Sequence, residues 1–530
     1  MKIMTFFILA LGIGWIILAE TTNQTISFSI FQSASTTNSE IDLIEEQEEM
    51  EKEWQQEYMN GSYSFDNPMV IEDPYGEAPL TALAKFHTEV PSRITVTVAS
   101  REGAEDITHT YSSYTQEHEV PVLGLYPNSD NEVTIAAENH QGTIQEKMIS
   151  IETDGTLESA HDRQIIESSP ADMEPGLTFI NTAVTEPYGV DEQGDIRWYA
   201  SRTGGFAFKR LANGNLLRGM SESADERNEY LLETDMLGKV QHQYKINVPN
   251  YDDNNVIHHD AVELPNNNLL VTIHDNSNSY VEDTMVEIDR TTGETVETLD
   301  LKDVFPAEVY ENYAGPYKNE GDWFHQNAVW YDAETESILV SGRHQSAVLS
   351  LTYPDMNINW ILAAPENWPD SMTEKVLKPV DAPIKYPGAQ HAPMILPDQD
   401  DNPDTKDILL FDNNTAVVRG DDSISRDFSQ GIQYRINETD GTVETVWNYG
   451  EERGKDFFSN VVGDADYLYE TGNRLLTSGY IELENSYRAV IVETASDTDE
   501  IVYELELTGI QGGDGRIVYR SERMPLYTEE

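Results

Sequence analysis

The stretch GDWFHQNAVWYDAETESILVSGRHQSAVLSL, residues Gly321–Leu351, contains two apolar-rich segments on either side of a polar turn. This pattern predicts two antiparallel strands joined as a hairpin. His325 stands before the first strand, and Arg343 and His344 follow the second. Because positive side chains are scarce in this chain, their position at the edges of one hairpin indicates a candidate site.

The same type of hairpin recurs along the chain and alternates with a second type. Copies of the first type are Arg210–Gly219, Ala261–Ile273, Ala328–Gly342, Pro393–Asp412 and Ala465–Gly479. The second type has a polar turn and occurs six times, from Gly189–Ala200 to Val490–Leu507. Two hairpins make one four-stranded blade, so the repeats predict a six-bladed β-propeller over residues 165–530. The strand Leu177–Val184 is expected to close the ring by pairing with the C-terminal strands.

The segments before the propeller differ from it in composition and periodicity. Residues 66–155 alternate with period two and predict an N-terminal β-sandwich, which makes the fold class all-β. Residues 21–65 read as an acidic polar spacer, in which Glu40–Met59 predicts a solvated charged helix. Residues 1–20 carry an apolar run from Ile3 to Ala19. This run predicts a signal peptide or membrane anchor and an extracytoplasmic location, either secreted or on the outer face of the cell membrane.

The charge and the cysteine count exclude several classes of function. The 530 residues carry a formal net charge of −63 and include no cysteine. A polyanionic chain repels nucleic acid and acidic membrane surfaces, so neither is an expected partner. The absence of cysteine excludes disulfides, thiolate catalysis and zinc–cysteine sites.

Three histidines precede the first-type hairpins of three successive repeats. His259, His325 and His391 are each separated from the next by 66 residues. In a propeller these positions face the central channel, so the three imidazoles are expected to converge. Arg343 follows His325 by 18 residues, a hairpin length that returns it to the same end of the channel. Three imidazoles and a guanidinium in an acidic chain suit a compact anion.

The residues alone leave three functions open. A sulfuryl transferase would use one imidazole as nucleophile, a second for the phenol proton and the arginine to hold sulfuryl oxygens. A propeller could instead bind an anionic ligand without catalysis, or act as a metal-dependent hydrolase or lyase. No metal and no cofactor are predicted, because no HxxxH or HxH pair and no carboxylate fourth ligand accompany the histidines. His258 and His274 are set aside as out of register. His344 is expected to point away from Arg343 if the strand continues, and to support the site from behind rather than line it.

Several strings resemble the bacterial arylsulfate sulfotransferase family and follow in that family's order over most of the chain. They are HDAVELPNNNLLV, HQNAVWYDAETESILVSGRHQSAV, QHAPMILP and VETVWNYGEERGKDFFS. The resemblance implies a six-bladed propeller that moves a sulfuryl group from a phenolic sulfate ester to another phenol. It also implies a ping-pong reaction that needs no 3′-phosphoadenosine-5′-phosphosulfate (PAPS).

The resemblance assigns roles to five residues of this chain. His391 would be the nucleophile that becomes a sulfohistidine. His259, His325 and Arg343 would bind the sulfuryl group, with one of the two histidines handling the phenol proton. Asn327 would support the same substrate pocket. The partners implied are a small-molecule aryl sulfate donor and a phenolic acceptor, while a homodimer through the N-terminal domain and an N-terminal membrane tether stay open.

Overall fold

The computed structural model describes residues 42–530 except 183, 221–229, 247–255, 275–278, 314, 316–320, 381–382, 420, 511–516 and 529–530. The predicted signal peptide or anchor and most of the N-terminal half of the predicted spacer therefore lie outside the described residues. Among the helices in the described part of the chain, none is both long and apolar enough to cross a membrane.

The N-terminal domain is built around one long strand that pairs with different strands along its two halves. Its strands are β1 (Met69–Glu72), β2 (Thr81–Val98), β3 (Ile107–Thr110), β4 (Thr115–Leu123), β5 (Ser129–Asn139) and β6 (Ile144–Thr153). The first half of β2 pairs with β1 and β4, and its second half pairs with β3 and β5. Both halves contribute alternate side chains to one buried cluster that includes Phe86, Val96, Val122 and Ile135. The period-two pattern of the sequence reflects this half-buried arrangement.

An α-helix precedes this domain and is docked rather than freely solvated. Helix α1 (Leu43–Asn60) begins after Asp42, whose side chain accepts a hydrogen bond from the backbone N–H of Glu45. Its charged residues face solvent, but Leu43, Gln47 and Trp54 are buried. The Gln47 amide donates to the carbonyl of Gly238 and accepts from the N–H of Val240, both in the propeller. The prediction of a helix is confirmed, and its interpretation as a wholly solvated element is wrong.

The remaining strands form six sheets in the described part of the chain. In chain order they are β7 (Asp162–Ser168), β8 (Leu177–Asn181), β9 (Tyr188–Val190), β10 (Ile196–Tyr199), β11 (Gly204–Arg210), β12 (Leu216–Met220), β13 (Tyr230–Thr234), β14 (Val240–Lys245), β15 (Val256–Glu263), β16 (Leu269–His274), β17 (Thr284–Ile288), β18 (Thr295–Asp300), β19 (Gln326–Asp332), β20 (Ser337–Gly342), β21 (Ala347–Thr352), β22 (Ile358–Leu362), β23 (Lys378–Pro379), β24 (His391–Ile395), β25 (Thr405–Asp412), β26 (Gln430–Asn437), β27 (Thr442–Tyr449), β28 (Asp464–Tyr467), β29 (Arg474–Glu482), β30 (Tyr487–Thr494), β31 (Ile501–Ile510) and β32 (Arg520–Met524). A short helix, α2 (Ala307–Glu311), lies between β18 and β19.

The six sheets are the blades of a six-bladed β-propeller, which confirms the predicted fold class. Four blades are the meanders β11–β14, β15–β18, β19–β22 and β24–β27, the last extended by β23. The blade β28–β31 is extended by β7 from the N-terminal side. The last blade combines β8, β9 and β10 with the C-terminal strand β32, which pairs with β8. The ring is thus closed by the pairing that Leu177–Val184 was predicted to make, and this closure removes two sheet edges.

The first strands of the blades line the central channel. Strand β15 is the edge of its own sheet and packs against β11 and β19, which are the edges of theirs. In the same way, β19 packs against β24, β24 packs against β28, and β28 packs against β32. Residues near the start of these strands therefore meet around one axis.

Candidate active site

Each of the three predicted histidines lies at an irregularity in a channel-lining strand. The strand pairing shifts register between Ile257 and Ala261, between Gln326 and Ala328, and between His391 and Met394. His259 and His325 adopt positive φ angles of 69° and 53° there, and Ala392 beside the third histidine adopts 48°. A left-handed conformation costs about 1–2 kcal/mol for a residue with a side chain. The bulges re-aim the side chains out of the regular alternation, as is common next to active sites.

His259 and His325 form a directional hydrogen-bond chain with a tyrosine from the far end of the sequence. The two Nε2 atoms are 3.2 Å apart, and Nδ1 of His259 is 2.8 Å from the Tyr519 hydroxyl. That hydroxyl donates to the backbone carbonyl of Asn327 at 3.3 Å, so its oxygen accepts from Nδ1–H of His259. Nε2 of His259 then carries a lone pair and accepts the Nε2–H of His325. Burial lowers the pKa of His259 to about 4, which keeps it neutral.

His325 is positively charged because two carboxylates lie behind it. Its Nδ1 is 2.5 Å from Oε2 of Glu282 and 2.8 Å from Oδ2 of Asp322. Burial alone would lower the pKa of His325, but the two carboxylates outweigh burial and raise it to about 9. In return His325 holds the pKa of Asp322 at about 2, against the effect of burial, and that of Glu282 well below its usual range. The positive charge of the site is therefore balanced by two buried carboxylates, which the three imidazoles and the guanidinium alone did not indicate.

His391 is oriented by an asparagine whose own orientation is fixed. Its Nδ1 is 2.7 Å from Oδ1 of Asn413. The amide nitrogen of Asn413 donates to the backbone carbonyls of Ser459 at 2.8 Å and Val462 at 3.1 Å, so Oδ1 must face the imidazole. Nδ1 of His391 therefore carries the proton and Nε2 carries the lone pair. Burial first, and then the charge of Arg343, lower the pKa of His391 well below its usual value, so this lone pair is available at neutral pH.

Arg343 is held from behind by His344. Its Nη1 donates to Nε2 of His344 at 2.8 Å, and Nδ1 of His344 donates to the backbone carbonyl of Asp322 at 2.9 Å. The ring centroids of His344 and His325 are 4.6 Å apart. The expectation that His344 points away from Arg343 is wrong, because β20 ends at Gly342 and strand alternation no longer applies in the following turn.

Asn327 supports the backbone next to His391. Its side-chain amide donates to the carbonyl of Gln390 at 2.7 Å, and its own carbonyl accepts from Tyr519. The structure thus brings His259, His325 and Arg343 into one hydrogen-bonded cluster, in which His344 and Asp322 connect Arg343 to His325. His391, oriented by Asn413, faces the edge of this cluster across the Tyr519 ring. The ring centroids of His391 and Tyr519 are 6.3 Å apart. The substrate-binding role of Asn327 and the catalytic roles of the other four stay predictions.

Several members of this cluster were not predicted from the sequence, and one of them bears on metal binding. Glu282 lies between His258, His274 and His325, with its Oε1 2.9 Å from Nδ1 of His274. The ligand atoms of His258, His274 and Glu282 lie within 4.8 Å of one another, as do those of His259, Glu282 and His325. The argument that no carboxylate accompanies the histidines is therefore wrong, and the residue types suit a zinc site.

Most of the chain is similar to known protein families and to curated proteins. A family described as arylsulfotransferase (ASST) matches residues 162–520, and one described as arylsulfotransferase Ig-like domain matches residues 69–154. Two curated proteins named arylsulfate sulfotransferase AssT, from Lelliottia amnigena and Escherichia coli O6:H1, are each 24% identical over 78% of this chain and 85% of their own length. Among solved structures, an auxiliary nutrient binding protein from Bacteroides thetaiotaomicron gives a TM-score of 0.34 at 9% identity, covering 81% of this chain and 93% of its own. TolB from Acinetobacter baumannii gives 0.34 at 10%, covering 73% and 79%.

Proposed function

The chain belongs to the arylsulfotransferase family, and from this membership we propose that it transfers a sulfuryl group from a phenolic sulfate ester to a phenolic acceptor through a sulfohistidine at His391. The reaction needs no PAPS and proceeds in two half-reactions. The observation that carries the proposal is the tautomer of His391, whose Nε2 is free to act as a nucleophile while Nδ1–H is held by Asn413.

In the first half-reaction Nε2 of His391 attacks the sulfur atom of the aryl sulfate. The N–S bond forms as the bond between sulfur and the phenolic oxygen breaks, and the sulfuryl group remains on the imidazole. The imidazole becomes positively charged, and Oδ1 of Asn413 stabilises this charge through Nδ1–H. The Arg343 guanidinium, fixed by His344, binds the sulfuryl oxygens with a planar pair of donors.

The pair of His259 and His325 handles the phenol proton. The pair shares one extra proton, which His325 holds because Glu282 and Asp322 stabilise its charge. The leaving phenolate takes this proton in the first half-reaction. In the second, the acceptor phenol returns a proton to the pair as its oxygen attacks the sulfur, and the N–S bond electrons return to Nε2 of His391.

The proposal is tested by trapping the covalent protein. The enzyme is incubated with 4-nitrophenyl sulfate without acceptor, quenched in base and digested, and the peptide that contains His391 is expected to gain the mass of one SO₃ group. His391→Asn should release no nitrophenol and gain no mass, while His87→Asn, at an exposed position of the N-terminal domain, should behave as the wild type. An unmodified peptide from an enzyme that is turning over would refute the intermediate.

A metal-dependent hydrolase is the second candidate, and Glu282 with its neighbouring histidines is the observation that favours it. A neutral His325 would then be a metal ligand rather than a proton donor. Transfer that persists after chelation, with sulfated acceptor as product, supports the sulfotransferase. Activity that is lost on chelation, restored by Zn²⁺ and accompanied by release of free sulfate supports the hydrolase.

We also propose an extracytoplasmic location, from the apolar run between Ile3 and Ala19. Fractionation of cells that express the full chain, with and without residues 1–20, tests this. Recovery of the full chain in the cytoplasmic fraction would contradict it. The same fractions distinguish a released protein from a membrane-tethered one, and light scattering distinguishes a monomer from a homodimer.

A further inference from the structure

A second cluster of ionisable groups lines the channel behind the histidines. Asp464 and Asp466 lie two residues apart on β28, and Arg520 and Glu522 lie two residues apart on β32, so each pair faces the same side of its strand. These four side chains line a cavity of about 260 Å³, which also touches Asp260 next to His259 and Ala392 next to His391. This cavity, called here the acidic cavity, therefore borders the residues next to His259 and His391, but neither histidine lines it.

Three carboxylates converge in the acidic cavity. Oxygen atoms of Asp464, Asp466 and Glu522 lie within 4.8 Å of one another. Asp464 is only 3% exposed, and within the described part of the chain its Oδ2 has no hydrogen-bond donor. Oδ2 of Asp466 is buried without a donor in the same way. Buried carboxylate oxygens are normally paired, so these two point to a missing cationic partner.

The basic groups that line the cavity make their direct contacts with other partners, although the charges of Lys209 and Arg520 oppose, from beyond ion-pair distance, the rise that burial causes in the pKa values of the three carboxylates. Lys209 and Arg520 both approach Asp260, at 2.9 Å and 3.4 Å. Arg210 donates to the backbone carbonyls of Gly214 and Pro525, and Arg523 donates to the carbonyl of Glu174 and the hydroxyl of Thr178. No ion pair within 4.0 Å joins a described basic side chain to the three convergent carboxylates.

We propose that Asp464, Asp466 and Glu522 bind a divalent cation of the Ca²⁺ or Mg²⁺ class. Hard cations of this class take carboxylate oxygens as ligands and complete their coordination with water, for which the cavity has room. The cation would neutralise the excess of negative charge that Lys209 and Arg520 leave after pairing with Asp260. It would also join the C-terminal strand β32 to the neighbouring blade through β28, and so stabilise the closure of the ring.

The alternative is a cluster in which protons take the place of the cation. Burial and the neighbouring carboxylate of Asp464 raise the pKa of Glu522 to about 8, which shows how strongly the cluster resists full ionisation without a counter-charge. A proton-sharing cluster would bind no cation at millimolar concentration. Direct measurement of cation binding distinguishes the two accounts.

The test measures Ca²⁺ and Mg²⁺ binding to the chelator-treated full chain at pH 8 by calorimetry, with thermal denaturation in parallel. Wild-type protein should bind one equivalent and unfold at a higher temperature with the bound cation. Asp466→Asn and Glu522→Gln, which preserve side-chain size, should each weaken binding at least tenfold. Glu334→Gln, at a side chain 85% exposed, and His274→Gln, in the histidine cluster, should bind as the wild type.

No binding to wild-type protein, or equal binding to Asp466→Asn, would overturn the proposal. Weaker binding by His274→Gln would place the cation among the histidines and overturn it too. If the two carboxylate variants fail to fold, limited proteolysis of wild-type protein with and without the cation replaces them. A cation bound at this site should slow cleavage near β32, and an unchanged cleavage rate would overturn the proposal. Binding is measured without substrate, so the result is independent of the proposed sulfuryl transfer.

Discussion

Nδ1 of His391 lies 2.7 Å from Oδ1 of Asn413. The side-chain amide of Asn413 cannot rotate by 180°, because its nitrogen donates hydrogen bonds to two backbone carbonyls. An imidazole held in this way has one protonated nitrogen and one nucleophilic nitrogen. Burial, and then the neighbouring Arg343 charge, keep the pKa of His391 well below its usual value, so the ring is neutral. This geometry is the one that the proposed attack by Nε2 of His391 requires before substrate binds.

Replacing Asn413 should impair the formation of sulfohistidine. Asn413→Leu removes the acceptor that stabilises the developing positive charge on His391, a buried hydrogen bond of about 1–3 kcal/mol. We expect the burst of nitrophenol from an aryl sulfate to slow by about 10- to 100-fold, measured by stopped-flow absorbance. An unchanged burst rate would mean that Asn413 does not act on the nucleophile.

Asn413→Asp tests the same contact in the opposite direction. A carboxylate at this position favours the charged imidazolium and should raise the pKa of His391. Because only the neutral imidazole attacks, activity falls when His391 is protonated at low pH. In this variant the fall should begin at a higher pH than in the wild type. The acid limb of kcat/KM against pH measures this shift, and a profile identical to that of the wild type would contradict it.

The basic limb of the same profile should report His325. Its charged form is favoured by Glu282 and Asp322, which raise its pKa to about 9, so the proton is retained below that pH and lost as the pH rises through it. Glu282→Gln removes one carboxylate and lowers the pKa of His325. We expect the basic limb to move by about 1–3 pH units toward neutrality.

Two further variants sharpen this measurement. Asp322→Asn should move the basic limb in the same direction, because Asp322 bonds the same Nδ1 atom. Glu334→Gln, at an exposed carboxylate, should leave it in place. A basic limb that stays near pH 9 in both Glu282→Gln and Asp322→Asn would show that a group other than His325 limits the rate.

Arg343→Lys should reduce kcat/KM by at least about 100-fold, the usual effect of removing one fixed donor from a charged transition state. A lysine keeps the charge but lacks the planar fork, and it also lacks the Nη1 donor that bonds His344. Steady-state kinetics with the aryl sulfate varied measure the loss. Arg101→Lys, at a half-exposed side chain, is the control and should retain full activity. If Arg343→Lys keeps the wild-type kcat/KM, Arg343 does not bind the sulfuryl group.

The sequence predicted those features of the fold and site that depend on the repeated hairpins. Regular hairpins predicted six blades, and the 66-residue spacing predicted that His259, His325 and His391 occupy equivalent strands of neighbouring blades. A repeated spacing fixes which strand carries a residue and which end of the channel it faces. The pairing of β8 with β32 followed from the same reasoning, because a ring of blades needs a closing contact.

The sequence did not predict contacts that depend on non-repeating segments. Tyr519 is 260 residues from the His259 that it bonds, and it belongs to the closing blade, which departs from the repeat. Glu282 lies two residues before β17 and outside the aligned hairpins, so their regular spacing could not indicate it. Asp322 was visible three residues before His325, but only the bulge at His325 turns Nδ1 toward it. The buried face of α1 was only partly visible in the sequence: Trp54 belongs to a weak apolar stripe, but Gln47 is a polar residue that is buried for its hydrogen bonds.

The last prediction concerns the interface between the N-terminal domain and the propeller. Glu77, 2% exposed, lies in the loop between β1 and β2 and bonds Arg218 on β12, which is 1% exposed, at 2.8 Å. It also pairs with Arg202. Glu77→Leu leaves the Arg218 guanidinium buried without its carboxylate, so we expect the free energy of unfolding to fall by about 3–5 kcal/mol in urea denaturation.

A surface pair and a double variant complete this test. Glu138→Gln breaks the partly exposed Arg93–Glu138 pair, which has a similar distance of 2.7 Å, and should change stability by at most about 1 kcal/mol. Glu77→Leu combined with Arg218→Met removes both buried charges, and should recover much of the loss because no unpaired charge remains. If Glu77→Leu is no more destabilising than Glu138→Gln, water must reach Arg218 and the interface is not held by this buried ion pair.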